Sequence, residues 1–334
     1  VRFPLGPPKI MKKIAIIENI HKDGLEIIDK DPDYEYELIS DVSEENLIKK
    51  LPDYDACTLR VSKLNENILK HCHKLKVISR HGVGYDNVDL EYIKKKNINL
   101  LITATANAVA VAEHVIYLML SISKGINQYD NEVRLGNFKK NASNIETLEL
   151  FKKEVLIVGF GRIGKSLIKR CLGFEMNVYV YDPYVSKDTI EKMGCHSILI
   201  EDGFKLADFV SVHLPLNDKT KNFINAKSFQ EMKDSCVIVN TARGGIINEQ
   251  DLYQALKDKK LRAAGLDVYE QEPPPSDHPL FDLSNVLLTP HNAALTLECR
   301  MRMAVEVCET VSFYLKNKEK LNLQNIINRK ELGI

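Results

Sequence analysis

The stretch VLIVGFGRIG (155–164) decides the fold. Val155–Val158 is an unbroken apolar run, as a strand covered on both faces requires. Gly159, Gly161 and Gly164 follow in G-x-G-x-x-G spacing, and Ile163–Cys171 reads as a helix. The first glycine permits a tight turn. The second lets a pyrophosphate approach the backbone, and the third lets helix and strand pack closely. The helix start, at Arg162 and Ile163, offers free N–H groups to an anion. The next strand-like run, VYVY, ends at Asp182, eighteen residues beyond Gly164. A carboxylate there can accept from both ribose hydroxyls and repels a 2′-phosphate, so the pattern favours NAD over NADP. A glycine-rich turn alone is a weak signal, and a methyltransferase can carry one. The order strand, glycines, helix, strand, acid is what gives it weight.

Outward from this stretch, strands and helices alternate. Toward the N-terminus the strand-like runs are Ile14–Ile17, Tyr36–Ile39, Ala56–Leu59, Leu75–Ile78 and Ile98–Ile102. Between them lie helix-like stretches at Asp23–Lys30, Ser43–Lys50, Asn65–His71 and Val88–Lys96. Toward the C-terminus the runs are Val178–Tyr181, Phe209–Leu214, Val237–Asn240, Ala263–Val268 and Val286–Leu288. This alternation predicts an α/β chain of parallel sheets covered on both faces. Asn107 as an N-cap and Gly125 as a stop bound a long apolar helix. Residues 127–147 are polar and read as a helix end and a surface loop. A last amphipathic helix runs from about Thr296 to Lys316.

Composition narrows the function classes. The 334 residues carry 46 basic and 46 acidic side chains. That balance gives no electrostatic reason to expect nucleic acid or an anionic membrane as partner. Seven cysteines, an odd count with no C-x-x-C, argue against a disulfide framework or a zinc site and point to a cytoplasmic location. No metal site is expected. The apolar window Ala106–Ser123 holds Glu113 and His114 and reads as a buried helix rather than a membrane span. Residues 1–10, VRFPLGPPKI, read as a cloning remnant ahead of Met11.

Three polar residues close late strands: Arg243 after VIVNTA, Glu272 after LDVYEQ and His291 after LLTP. In an open α/β sheet, ligands bind beyond the strands' carboxyl ends, so all three point toward the side that holds the glycine loop. An arginine fork suits a carboxylate. A histidine exchanges a proton near neutral pH. A glutamate bonded to it would orient the ring and stabilise the imidazolium. With a hydride acceptor, this set fits oxidation of a 2-hydroxy acid. Taken singly, a Pro-His or a Glu-Pro is more often structural.

The motifs in their order resemble the D-isomer-specific 2-hydroxyacid dehydrogenases, of the phosphoglycerate dehydrogenase and hydroxypyruvate reductase kinds. They are HGVGYDNVDL (81–90), TANAVAVAEH (105–114), VGFGRIG (158–164), YDP (181–183), ADFVSVHLPL (207–216), VIVNTARGGIINEQDL (237–252), AAGLDVYEQEPP (263–274) and TPHNAA (289–294). The resemblance implies two Rossmann-like or flavodoxin-like parallel-sheet domains with a cleft between them. It assigns 11–105 plus 298–334 to a substrate domain and 106–297 to an NAD-binding domain, and it implies a homodimer. It implies that Arg243 binds the substrate carboxylate, His291 is the acid–base and Glu272 its partner. Val83 and Gly84 would offer N–H groups to the carboxylate. Leu214, Pro215, Thr220, Thr241, Ala242, Asp267 and Ala293 would line the cofactor site.

Arg60 sits at the end of a strand and is read either as a ligand for a second anionic group or as a solvated arginine. His81 is read as a solvent-facing bystander in preference to a residue that touches substrate. The substrate is expected to be of the 3-phosphoglycerate type or the hydroxypyruvate/glyoxylate type. Formate or phosphite dehydrogenation on the same fold is a competing reading, opposed by Glu272. An NAD(H)-sensing, corepressor-like protein is another, which the triad itself does not exclude.

Overall fold

The computed structural model describes residues 11–138, 146–316, 322 and 325–328, so residues 1–10, read above as a cloning remnant, lie outside the described residues. In chain order the first elements are β1 (Lys12–Ile17), α1 (Lys22–Asp29), β2 (Tyr34–Ile39), α2 (Glu44–Lys50), β3 (Ala56–Leu59), α3 (Glu66–Leu69), β4 (Val77–Arg80), α4 (Leu90–Lys95) and β5 (Asn99–Ile102). Then come α5 (Ala108–Lys124), α6 (Ile126–Arg134), β6 (Glu154–Val158), α7 (Arg162–Gly173), β7 (Asn177–Tyr181), α8 (Lys187–Glu191) and β8 (His196–Ser197). The remainder are α9 (Ile200–Leu206), β9 (Phe209–Val212), α10 (Ala226–Glu231), β10 (Val237–Asn240), α11 (Glu249–Lys257), β11 (Ala263–Leu266), β12 (Val286–Leu288) and α12 (Leu297–Lys316).

The chain divides into two compact units. One comprises Val1–Asn107 and Leu295–Ile334, the other Ala108–Ala294. The first unit has a five-stranded sheet in the order β2-β1-β3-β4-β5, with every named strand pair parallel. This is the flavodoxin-like order, and the strand order reverses beside β1 and β3. The second unit has a seven-stranded sheet, β12-β11-β10-β9-β6-β7-β8, also parallel throughout. Its order is that of a dinucleotide-binding fold, reversing between β6 and β9.

The burial pattern explains the unbroken apolar runs. Val155 and Ile157 of β6 pack with Val115, Leu118 and Met119 of α5, while Leu156 and Val158 join the cluster on the other face. In β1, Ala15 and Ile17 take one face and Ile14 and Ile16 the other. Both faces are apolar because both are covered.

Several boundaries differ from the sequence reading. β4 begins at Val77, since Leu75 is buried in the preceding turn without joining the ladder. β9 stops at Val212, where full burial also ends, and β11 stops at Leu266, although Asp267, Val268 and Tyr269 beyond it are buried. Residues 126–134 are a helix where a fraying end and loop were expected. No residue of α6 is buried, although Ile126, Tyr129 and Val133 recur at helical spacing among its polar residues.

In the first unit α1 lies against α12. A Cβ added at Gly24 would come within 2.3 Å of the Ala304 carbonyl oxygen, so the contact needs a glycine. Gly24→Val is expected to cost about 1–3 kcal/mol by overpacking. Gly173→Ala, where a Cβ meets nothing within 4 Å, is expected to be neutral or mildly stabilising. Urea unfolding of the two variants checks the contrast.

Candidate active site

In the second unit the cofactor loop is built by close backbone approaches. Gly159 sits at φ 111°, and a Cβ there would lie 2.6 Å from the carbonyl oxygen of His213, which follows β9. The turn thus fits into the gap where the strand order reverses. A Cβ on Gly164 would lie 2.2 Å from the Gly159 oxygen, so α7 starts directly on that turn. At Gly161 a Cβ would meet nothing within 4 Å, which leaves the mouth of the loop open beside the start of α7. Asp182 accepts from the Phe160 N–H at 2.9 Å and from the Tyr184 N–H at 2.9 Å. Its carboxylate therefore fixes the glycine loop, a task its place in the sequence did not announce.

The Thr220 hydroxyl donates to the Pro215 oxygen at 2.6 Å and accepts from the Asn217 N–H at 2.8 Å. These bonds shape the turn after Leu214. Thr241 is 7% exposed, and its buried hydroxyl finds no partner among the described residues. An orphaned hydroxyl just beyond β10, on the side of the sheet that carries the glycine loop, fits a polar ligand such as NAD. When bound, NAD(H) supplies or accepts a hydride at the nicotinamide ring.

The acid–base set assembles around the ends of β10, β11 and β12. After β10 the Asn240 amide donates to the Arg243 oxygen at 2.9 Å, and the Asn240 side-chain oxygen accepts from the Ala242 N–H at 3.0 Å. This Asx turn presents Arg243, whose Nη1 donates to the Ala242 oxygen at 2.7 Å. A Cβ on Gly244 would be 1.8 Å from the Tyr269 oxygen, so the arginine loop and the segment leading to Glu272 pass in contact.

Glu272 accepts from the Tyr269 N–H at 3.1 Å and meets His291 Nδ1 at 2.6 Å. Burial pushes the Glu272 carboxyl upward. The hydrogen bond and charge of His291, the Tyr269 N–H and the nearby Arg243 guanidinium together outweigh it and hold the carboxyl below its ordinary value. An ionised Glu272 only accepts, so Nδ1 carries the proton and Nε2 is left to exchange one. Side-chain exposures of 46% for His291 and 37% for Glu272 leave the pair open to a substrate.

His291 itself adopts a left-handed conformation, φ 52°. Asp267, 1% exposed, stabilises the loop that carries it. Its oxygens accept from the Thr289 hydroxyl at 2.6 Å, the Asn292 N–H at 2.9 Å and the Ala293 N–H at 3.0 Å. Tyr269 adds a fourth restraint, its hydroxyl donating to the Thr289 oxygen at 3.0 Å. Sequence reasoning missed Thr289 and Tyr269 as parts of the site, and no pattern in the sequence signals them.

In the first unit, Gly82, Val83 and Gly84 follow β4. The Asn87 amide donates to the Ser62 oxygen at 2.7 Å and the Arg60 oxygen at 3.1 Å, which ties this loop to the one after β3. Arg60 Nη1 donates to the Asn19 oxygen at 3.0 Å. A cavity of about 420 Å³ opens here, lined by Lys22, Arg60, His81 and Arg300 among others and by no acidic residue. It lies where the order of the sheet reverses, beyond β1, β3 and β4. The reading of His81 as a solvent-facing bystander is corrected. The side chain is 6% exposed, lines the cavity, and its Nε2 has no partner among the described residues. Burial, reinforced by Arg60, pushes its pKa down to about 4, so the ring is neutral at pH 7. Arg300, from the first turns of α12, was not singled out from the sequence.

Among the described residues no group of three or more His, Cys, Asp or Glu is placed to hold a metal ion. No single described helix is long and apolar enough to cross a membrane.

Residues 116–293 match the family model of the D-isomer specific 2-hydroxyacid dehydrogenase, NAD binding domain. The chain belongs to the D-isomer specific 2-hydroxyacid dehydrogenases. It is 37% identical to D-3-phosphoglycerate dehydrogenase of Methanocaldococcus jannaschii over 95% of its own length and 60% of that protein's. It is also 37% identical to the hydroxypyruvate reductase of Thermotoga maritima, over 83% of this chain and 90% of the relative. Among solved structures, D-lactate dehydrogenase from Aquifex aeolicus, complexed with NAD and lactic acid, superposes with a TM-score of 0.82 at 28% identity, covering 94% of this chain and 98% of that one. The chain spans about 60% of the length of the phosphoglycerate dehydrogenase relative.

The geometry makes Asp182 a brace for the glycine loop as well as a candidate ribose ligand. Asp182→Ala is expected to weaken NADH binding about ten-fold or more and to narrow the preference over NADPH. Fluorescence titration with both nucleotides checks this, and an unchanged preference removes the ribose contact.

Proposed function

We propose that the chain is an NAD-dependent oxidoreductase that interconverts a D-2-hydroxy acid and its 2-keto acid. The observation that carries this reading is the His291–Glu272 pair at 2.6 Å with the Arg243 charge beside it. In reduction, the hydride goes to substrate C2 and His291 Nε2 gives its proton to the carbonyl oxygen. Oxidation returns that proton to Nε2. Glu272 offsets the imidazolium, and Arg243 grips the substrate carboxylate and polarises the carbonyl. Gly159, Gly161, Arg162, Ile163, Gly164 and Asp182 are assigned to the cofactor, with Leu214, Pro215, Thr220, Thr241, Ala242, Asp267 and Ala293 around it. In the first unit, Val83 and Gly84 are assigned to the substrate carboxylate.

The candidate substrates are of the hydroxypyruvate/glyoxylate kind or the 3-phosphoglycerate kind. The cavity beside Arg60 supports the second, since Arg60, Arg300 and Lys22 are among its lining residues and no acidic residue is. A homodimer is proposed too, supported by the exposed apolar side chains Val109, Tyr117, Ile126 and Val133 on α5 and α6. A cytoplasmic location fits seven cysteines that are all free and buried.

NADH oxidation with a panel of keto acids tests the reading. His291→Ala is expected to lower kcat by about a thousand-fold or more while NADH still binds. Loss of NADH binding would make His291 a structural residue. Arg60→Ala is expected to raise KM for 3-phosphohydroxypyruvate about ten-fold or more and to leave that for hydroxypyruvate nearly unchanged. Equal effects on both would return Arg60 to solvent.

The lowered Glu272 carboxyl also sets a pH dependence. A depressed carboxylate keeps its charge, and so the pair, above its folded pKa and loses it as pH falls through that value. The kcat for reduction is therefore expected to hold down to about pH 5, with Glu272→Gln removing the charge at every pH. A pH–rate profile of both proteins reads this out.

A further inference from the structure

We propose that His114 is a positioning residue for His291, acting through the Thr289 hydroxyl and the buried Asp267 carboxylate. The proposal rests on the acid–base role given to His291 above. His114 lies on α5, remote in sequence from the loop it would control. Its Nε2 is 3.0 Å from the Thr289 hydroxyl, which is 2.6 Å from Asp267 Oδ1. The direction of these bonds follows from proton counting. An ionised Asp267 donates nothing, so the single hydroxyl proton of Thr289 goes to Asp267. The hydroxyl oxygen is then an acceptor, and His114 must present Nε2–H to it.

Thr289 has a choice of acceptor. The Leu266 carbonyl oxygen is 3.4 Å from its hydroxyl, and Asp267 is 2.6 Å. Donation from His114, whose Nε2 is itself 3.7 Å from Asp267 Oδ1, occupies an acceptor site of the hydroxyl and leaves its proton to the carboxylate. Asp267 Oδ1 in turn accepts from the Asn292 N–H and Oδ2 from the Ala293 N–H, and so sets the backbone on either side of the left-handed His291. A residue held at positive φ needs such external bonds. The reach of His114 depends on close packing of α5 over β11. A Cβ on Gly265 of β11 would come within 3.2 Å of Leu118 Cβ, one helical turn along from His114. His114 also stands against Tyr117, ring centroids 5.4 Å apart, which limits its rotation.

A misplaced acid–base lowers the chemical step and spares cofactor binding. His114→Phe, which keeps a ring but has no donor, is expected to lower kcat about ten-fold, to change the NADH Kd less than about two-fold, and to enlarge the isotope effect with deuterated NADH. His114→Gln, which keeps a donor, is expected to recover most of the rate. Thr289→Val and the His114→Phe/Thr289→Val double variant are expected to show the same kcat, because both substitutions break one chain. Backbone hydrogen exchange across 289–294 is expected to speed up in His114→Phe and not in His114→Gln. An unchanged kcat, additive effects in the double variant, or a parallel loss of NADH binding and thermal stability would overturn the proposal. A wild-type chain inactive toward every keto acid would refute the functional reading alone, and the exchange experiment would still decide the contact.

Discussion

In a parallel sheet each crossover returns the chain to the same end of the sheet, so every strand delivers its carboxyl end to one side. Everything functional in both units follows from that constraint. Where the strand order reverses, neighbouring crossovers pass on opposite faces and leave an opening. In the second unit the opening lies between β6 and β9, and Gly159 fits into it against the backbone after β9. In the first unit it lies beside β1 and β3, and the basic cavity occupies it.

The acid–base pair shows how a rigid scaffold holds a strained element. His291 is in a conformation that a non-glycine residue rarely adopts. Asp267 counters this with a buried carboxylate whose hydrogen bonds all go to the loop around His291. A buried charge of this kind is tolerated only when donors surround it, and here the donors are the loop itself. The charge and the loop therefore depend on each other. Glu272 is organised differently. It is partly exposed and held ionised by His291, the Tyr269 N–H and Arg243, so its charge is available to the imidazolium.

Much of this was legible in the chain. The glycine spacing at 159–164, the apolar strands and the three polar residues after late strands carry their meaning locally, because turn geometry and strand burial act over a few residues. The helix α6 was not read, since Ile126, Tyr129 and Val133 stand scattered among polar residues and none of them is buried. Nor was the burial of His81, because solvent exposure is set by what packs over a residue, in this case β1, β3 and α12 neighbours distant in sequence.

By itself the sequence determined which residues can bend, bind phosphate or exchange a proton, because those capacities belong to side chains and short backbone patterns. The tertiary structure alone decided that Asp182 braces the glycine loop, that Asp267 and Thr289 hold His291 in place, and that Arg300 faces the same cavity as Arg60. These are contacts between segments far apart in the chain. Hydrogen bonds and packing depend on distance in space, and only the folded sheets bring those segments within about 3 Å of one another.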